Sequence, residues 1–254
     1  MNKASGNPMR KFIMKPRSVF LHLLVVQVIF TSTISLAQLA QVPFKKPVTD
    51  VADSVVINYE RLKRKWGENK EIQPRYEKQI LFALSYFPEL VSIKIKFQIV
   101  KGEKGIIDTR PTIGSLLRRG NKRKYLVTIY DSTVGRTRPL YSKADVNGQV
   151  GIMGHELSHI VSFKNSTGLD LMGLGIAHIS TRYMDRYENN TDSVTIERGL
   201  GYQLIAWKQY LDKGFKAMPR NAITHSKKPV ARKRYMSVDQ IRRVMRRSKI
   251  YQLQ

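Results

Sequence analysis

The sequence contains no cysteine among its 254 residues. This absence excludes disulfide bonds, thiol nucleophiles and cysteine-ligated zinc. A metal site in this chain must therefore be built from histidine and carboxylate side chains. The absence does not exclude export, because a chain of this length can bury a sufficient core without disulfides.

Acidic residues are scarce, since 19 Asp and Glu face 45 Lys and Arg, and the formal net charge is +26. Such a charge favours anionic partners, whether lipid headgroups, envelope polymers or nucleic acid. No zinc-finger, RRM or KH signature is present, so we expect no nucleic-acid partner. The expected partner is an anionic envelope surface, and the alternative is a basic surface that is merely solvated.

The one apolar run that approaches the length of a membrane span lies near the amino terminus. Basic residues precede it, and Ser35-Leu36-Ala37 provides small residues at the positions that signal peptidase reads. We therefore expect residues 1–37 to be a cleaved signal peptide and the mature chain, secreted or periplasmic, to begin at Gln38. The alternative is an uncleaved membrane anchor, because the 19 residues from 19 to 37 nearly span a bilayer.

Hydrophobic periodicity in the first half of the mature chain predicts a helix and a short sheet. Apolar residues at helical spacing predict a helix around 74–87. Apolar and polar residues alternate over 91–100, which is typical of a half-buried strand, and a second strand is predicted at 125–130. We expect loops at 101–121 and 132–141.

The second half of the mature chain reads as helical. Ser142 followed by Asp145 resembles a capping box and predicts the start of a helix that continues through Val161. A second long helix is predicted from about Tyr183 to Leu211. Near the carboxyl terminus, the sequence 237–240 predicts the cap of a short amphipathic helix. The predicted order of elements, a helix followed by a short sheet and then further helices, indicates one α+β domain.

The segment His155-Glu156-Leu157-Ser158-His159 carries the chemistry. Positions i and i+4 lie on one face of a helix, so both imidazoles can bind one ion. Glu156 follows the first histidine and can act as general base on a water molecule without binding the metal. With no cysteine available, this pattern predicts a Zn²⁺ site with Glu156 as the catalytic residue.

A zinc hydrolase needs a third protein ligand, and no histidine follows His159 at a short spacing. Glu188 is the preferred candidate and Asp185 is its rival. Asp192 lies one helical turn beyond Glu188, so its carboxylate can accept the free N–H of a ligating histidine.

These residues resemble the gluzincin peptidases, most closely the minimal gluzincins related to CAAX-processing proteases. The likeness covers roughly residues 70–212. It implies a zincin-like fold, in which a small, mostly antiparallel sheet packs on the active-site helix and a second long helix carries the third ligand. It also implies that the strand ending near Tyr130 is the edge that pairs with an extended substrate. His155, His159 and Glu188 would bind zinc, and Asp192 would support a ligating histidine.

We therefore expect four regions. They are a signal peptide at 1–37, a linker and N-terminal segment at 38–70, a zinc metallopeptidase domain at 71–214 and a basic C-terminal extension with a short helix at 215–254.

The expected function is that of an exported zinc-dependent endopeptidase acting on a peptide or protein substrate. The alternatives are a non-catalytic, zinc-stabilised envelope protein and a basic envelope-binding module. The hydrogen-bond donor that stabilises the oxyanion stays open among His178, Tyr187, Tyr202 and His225.

Overall fold

The computed structural model describes residues 46–102, 105–131, 139–177, 180–217 and 234–252, without the side chains of 174–177. The chain from Val42 to Gln254 forms one compact unit. The predicted signal peptide lies outside the described residues. Among the helices that are described, none combines the length and apolarity that a bilayer crossing requires.

The described residues form eight α-helices and four short strands, which agrees with the predicted α+β class. The helices are α1 (Ala52–Ile57), α2 (Tyr59–Trp66), α3 (Glu77–Leu84), α4 (Val146–Asn165), α5 (Gly168–Ala177), α6 (Thr181–Thr195), α7 (Gly201–Ala217) and α8 (Val238–Arg247). The strands are β1 (Lys70–Ile72), β2 (Lys94–Val100), β3 (Ile107–Pro111) and β4 (Lys124–Tyr130).

The four strands form one mixed sheet in the order β1-β2-β4-β3. The pairs β1–β2 and β2–β4 are parallel, and only β3–β4 is antiparallel. The prediction of a mostly antiparallel sheet was therefore wrong. Alternating hydrophobicity indicates a strand but not the direction of its neighbour, and the connection from β1 to β2, which contains α3, is long enough for a parallel crossover.

Both predicted strands are confirmed as β2 and β4. In β2, Ile95 and Phe97 are buried while Lys94 and Lys96 are exposed, as the alternation indicated. Residues 125–129 of β4 are all buried, because this strand has a neighbour on each side and is covered on both faces.

The central position of β4 overturns its predicted role as a substrate-binding edge. The edge on that side is β3, which lies within the predicted loop 101–121 and contacts α4. Its sequence, Ile-Asp-Thr-Arg-Pro, has one large apolar residue and no alternation, so periodicity could not reveal it.

Helix α4 is central to the fold, since it packs against α3, α6, α7 and β3. It begins after Asp145, whose side chain accepts the backbone N–H of Gly148. The predicted start at Ser142 was three residues early, because Ser142 lies in a 3₁₀ turn and bonds Asp131 at 2.9 Å instead.

The predicted long helix at 183–211 is two helices. Helix α6 ends at Thr195, and a π-helical turn, Ile196–Leu200, separates it from α7. Gly199 within that turn has φ 99°, a left-handed conformation that a residue with a Cβ adopts only at a cost. The glycine therefore permits the change of direction between the two helices.

The segments before and after the predicted peptidase domain pack into the same compact unit. In the predicted linker segment, α1 and α2 bury Val55, Leu62 and Trp66. In the predicted C-terminal extension, Ile241 and Met245 of α8 join a buried cluster with residues that follow α6. The predicted cap of α8 is confirmed, because Ser237 and Gln240 form a capping box. The described parts of all three predicted regions thus belong to one compact unit.

We expect Gly151→Ala to destabilise the protein by about 1–3 kcal/mol, as overpacking does. A Cβ on Gly151 would lie 2.1 Å from the carbonyl oxygen of Gln203, so α4 or α7 would have to move. The matched control is Gly173→Ala in α5, where a Cβ meets nothing within 4 Å. The control should gain up to about 1 kcal/mol from helix propensity. Urea unfolding of both variants measures the difference, and equal effects would contradict the close approach of α4 and α7.

Candidate metal centre

Three buried side chains from two helices converge at the middle of α4. His155 and His159 belong to α4 and Glu188 belongs to α6. One potential ligand atom from each lies within 4.8 Å of the other two. This group can hold a metal ion.

The distances within the group agree with a tetrahedral metal site. The Nε2 atoms of His155 and His159 lie 3.2 and 3.4 Å from the same oxygen of Glu188, Oε2. Around a zinc ion with bonds of about 2.0–2.1 Å, neighbouring tetrahedral ligand atoms lie about 3.3–3.4 Å apart. Both nitrogen-to-oxygen distances thus match the spacing expected for ligands of one shared ion.

The close packing of α4 on α6 sets these distances. The two imidazoles are one helical turn apart, with ring centroids 4.7 Å from each other. In the same interface between α4 and α6, the hydroxyl of Ser158 lies 2.9 Å from that of Thr195. Residue 154 is a glycine, and a Cβ there would come within 2.5 Å of the side chain of Leu200. Small residues on α4 therefore allow the helix that carries Glu188 to approach.

The outer nitrogen of each imidazole has a partner that fixes the ring. The Nδ1 atom of His155 lies 2.8 Å from Oδ1 of Asp192, the residue predicted from sequence to support it. The Nδ1 atom of His159 lies 3.1 Å from the Tyr187 hydroxyl, and the two rings stack at 5.2 Å. With a proton on each Nδ1, both Nε2 atoms have a free lone pair for a metal.

The C-terminal segment is attached to the centre through α6. The second oxygen of Asp192, Oδ2, accepts the backbone N–H of Met236 at 2.8 Å. The side chain of Asn189 donates to the carbonyl oxygen of Arg234 at 3.1 Å. Between these two contacts lies Tyr235, whose ring packs edge-on against His155 with centroids 5.6 Å apart.

Sequence reasoning missed Tyr235, although it belongs to the centre. It follows Asp192 by more than forty residues and lies just before a cap, so neither spacing nor periodicity singles it out. Burial raises its pKa, and the nearby carboxylates of Glu188, Glu156 and Asp192 raise it further. Tyr235 is thus held as a neutral phenol beside the acidic residues of the centre.

Burial raises the pKa of Glu156, while the charges of His159 and His155 and the nearby hydroxyl of Thr109 oppose the shift. The result is a pKa above that of an exposed glutamate. Such a shift favours proton acceptance, because a carboxylate with a raised pKa is a stronger base.

The pKa values of His155 and Glu188 are shifted in opposite directions. Burial lowers the pKa of His155, but its hydrogen bonds to Asp192 and Glu188 outweigh this and raise it well above the ordinary value. Burial raises the pKa of Glu188, but hydrogen bonds from His155 and His159 outweigh this and lower it. These two shifts favour an ion pair between a protonated His155 and the carboxylate of Glu188.

Among the described residues, two other candidates from the sequence lie apart from this cluster. The carboxylate of Asp185, the rival third ligand, lies 3.9 Å from the guanidinium of Arg234. Tyr202 packs against Tyr251 at 5.7 Å in the core around α8. His178 and His225 lie outside the described residues. The hydroxyl of Tyr187 lies 3.1 Å from Nδ1 of His159, so Tyr187 contacts the cluster through a histidine.

No family model, curated protein or solved structure matches the chain. The resemblance to gluzincins therefore stays a prediction from the motif. What the residues can do has to be argued from the geometry and chemistry of the centre itself.

Proposed function

We propose that the protein is a zinc-dependent endopeptidase, with His155, His159 and Glu188 as the zinc ligands and Glu156 as the general base. The observation that carries this proposal is the convergence of both imidazole Nε2 atoms on one oxygen of Glu188 at 3.2 and 3.4 Å. The buried Glu156, next in sequence to a proposed ligand, adds the base that hydrolysis needs.

The donor set favours zinc over other divalent metals. Two imidazoles and one carboxylate suit zinc, and three protein ligands leave the fourth tetrahedral position free, as in catalytic zinc sites. Magnesium and calcium would require more oxygen ligands. When bound in such a site, zinc acts as a Lewis acid and lowers the pKa of a water molecule.

Glu156 would accept the proton that the attacking water loses and pass it to the leaving amine. The raised pKa of the buried carboxylate suits both steps, because the group must gain and then release a proton near neutral pH. A metal site that serves only folding has no use for a carboxylate at this position.

The outer edge of β3, which has no neighbouring strand among the described residues, is the proposed binding site for an extended peptide. This strand contacts α4, and its residue Thr109 is near enough to Glu156 to influence the pKa of that carboxylate. A peptide added as a further strand would bond to the backbone groups on this edge. Its scissile bond would then lie along α4.

We further propose that the chain is exported, as the N-terminal pattern predicts, and acts at an anionic envelope surface. The basic composition agrees with an anionic envelope surface. Sequencing the amino terminus of protein recovered from the envelope or the medium tests cleavage before Gln38.

A non-catalytic, zinc-stabilised protein is the second candidate, and the burial of the cluster favours it. His155 is only 2% exposed, and Tyr235 packs against its ring. A closed site is typical of structural zinc, whereas a catalytic site keeps one position open to substrate.

Peptide hydrolysis by the zinc-reconstituted protein tests the proposed function. We expect about one zinc ion per chain and cleavage of a mixed peptide library, lost on chelation and restored by zinc. Mass spectrometry of the products locates the cleaved bonds. Stoichiometric zinc without cleavage would favour the structural alternative, and no bound metal after reconstitution would exclude both candidates.

Tyr235→Phe is expected to lower the turnover number by about 10²–10³-fold while leaving zinc content unchanged. Its neutral phenol lies beside the cluster and can donate a hydrogen bond to an oxyanion, and losing such a donor has an effect of this size. Tyr202→Phe is the matched control, because that ring packs in the core around α8. Equal rates in the wild type and Tyr235→Phe would assign Tyr235 a packing role only.

A further inference from the structure

An exposed apolar patch lies near the carboxyl end of α4. It consists of four large side chains with high exposed fractions: Ile113 84%, Leu117 82%, Leu169 77% and Met172 53%. We call these four residues the apolar patch. Single exposed apolar residues are common on proteins, but a contiguous group indicates a surface that something covers.

Backbone contacts bring the four residues together. Ile113 and Leu117 lie in consecutive tight turns, since Leu116 bonds back to Ile113 and Arg118 bonds back to Ser115. A Cβ on Gly168 would lie 3.4 Å from the side chain of Leu117, so the start of α5 touches this turn.

Leu169 directly follows Gly168 and therefore extends the patch onto α5. Met172 is three positions beyond Leu169, on the same face of the helix. The four exposed side chains thus lie on adjoining segments, from the turn after β3 to the first half of α5.

A buried arginine fixes this arrangement. The guanidinium of Arg123 donates to the carbonyl oxygens of Leu116, Phe163 and Ser166 at 3.0, 2.7 and 2.8 Å. It therefore ties the turn that carries Leu117 to the end of α4 and to Ser166, in the short connection between α4 and α5. The apolar patch stands on a rigid support rather than on a free loop.

The surroundings of the apolar patch are basic. Arg118, Arg119, Lys122 and Lys124 follow Leu117 in sequence, and all four are exposed. Lys164 is close as well, since a Cβ on Gly120 would collide with its carbonyl oxygen. Asp170, the acidic residue in the first turn of α5, accepts a hydrogen bond from the backbone N–H of Thr167 at 2.7 Å.

We propose that the apolar patch is a docking surface for an anionic lipid bilayer. The four apolar side chains would enter the boundary between headgroups and acyl chains, and the flanking lysines and arginines would contact lipid phosphates. Each basic residue near an anionic membrane adds electrostatic attraction, which supplements the burial of the apolar side chains. This proposal does not depend on the peptidase proposal.

Charge complementarity selects the lipid surface over the other possible occupants. The ring of exposed basic residues around the apolar patch and the formal charge of +26 both match an anionic bilayer. A second copy of this chain would bring the same basic ring into contact with itself, and like charges would repel.

The absence of native cysteine allows single labels to test the apolar patch in the full-length chain. Leu117→Cys and Leu169→Cys each receive a polarity-sensitive fluorophore. The matched control is Ile57→Cys, which is 80% exposed. Ile57 belongs to α1, a helix that begins just after Val51. The backbone N–H of Val51 bonds Asn147, at the end of α4 that is opposite to the apolar patch. A helix of 20 residues is about 30 Å long, so the control lies far from the apolar patch.

The labelled proteins are mixed with vesicles of phosphatidylcholine alone or of equimolar phosphatidylcholine and phosphatidylglycerol. On the anionic vesicles, we expect the labels at 117 and 169 to shift to shorter wavelength and brighten by roughly two-fold or more. Nitroxide-labelled lipids should quench them, while the label at 57 should stay as in water. High salt should reverse the shift, because screening removes the phosphate contacts.

Three results would overturn the proposal. The first is failure of the chain to bind anionic vesicles. The second is vesicle-bound protein in which the labels at 117 and 169 remain as solvated as the label at 57, since attachment would then use another part of the chain. The third is labels that are already shielded before lipid is added, which would identify the N-terminal residues or a second copy as the occupant.

Discussion

Glu156→Gln is expected to slow peptide hydrolysis by at least 10²–10⁴-fold, roughly the contribution of a general base. The substitution keeps the size and hydrogen-bonding capacity of the side chain but removes the group that accepts a proton. Glu156 is not one of the three converging residues, so bound zinc should be unchanged. Kinetics on the cleaved library peptide, with metal analysis of the same samples, measures both quantities.

The matched control for this variant is Glu197→Gln. Glu197 is also a partly buried glutamate whose pKa is raised by burial, but it lies in the π-helical turn outside the converging group. Its replacement should leave the rate within a few-fold of the wild type. Equal, chelator-insensitive turnover by Glu156→Gln and the wild type would attribute the hydrolysis to another site or to a contaminant.

Removal of a proposed ligand is the second change with a large expected effect. His155→Ala, His159→Ala and Glu188→Ala should each weaken zinc binding by more than about 10²-fold and abolish hydrolysis, because two ligands cannot retain the ion. Asp192→Asn should weaken binding less, by about 10–100-fold, since it changes only the partner of a ligand. Competition with a chromogenic chelator gives the affinities.

Asp185→Asn is the control that separates the two candidate third ligands. Asp185 faces Arg234 rather than the imidazoles, so its replacement should leave zinc affinity unchanged. Circular dichroism of each variant establishes that the fold is retained. A large loss in Asp185→Asn with normal binding in Glu188→Ala would move the third ligand to Asp185 and contradict the geometry of the centre.

The two histidines could be brought together from the sequence because the relation between them is local. Positions 155 and 159 are one turn apart on any helix, and the apolar residues around them predicted that helix. Glu188 and Asp192 were selected on similar grounds, as two acids one turn apart in an otherwise basic chain. Because acidic residues are scarce in this chain, few other carboxylates were candidates for these positions.

Other parts of the fold depend on contacts between distant residues, and the sequence predicted them poorly. The order and direction of the strands follow from which strands pair, not from the pattern within one strand. The edge strand β3 carries almost no apolar residues, so its structure comes from pairing with β4. The break between α6 and α7 depends on one left-handed glycine within an otherwise helical pattern.

The amino-acid sequence is sufficient to predict the local elements of this protein: the helix with two histidines on one face, the alternating strand and the cap of α8. It also restricts any metal ligands to side chains without a thiol. The reason is that each follows from periodicity or residue type over a few neighbouring positions. Which distant groups complete the centre depends on tertiary contacts. Tyr187 holds one imidazole, and Met236 holds the carboxylate that orients the other. Tyr235 lies against His155 because Asn189 and Asp192 of α6 bond the backbone on either side of it, and no local pattern encodes a contact between such distant segments.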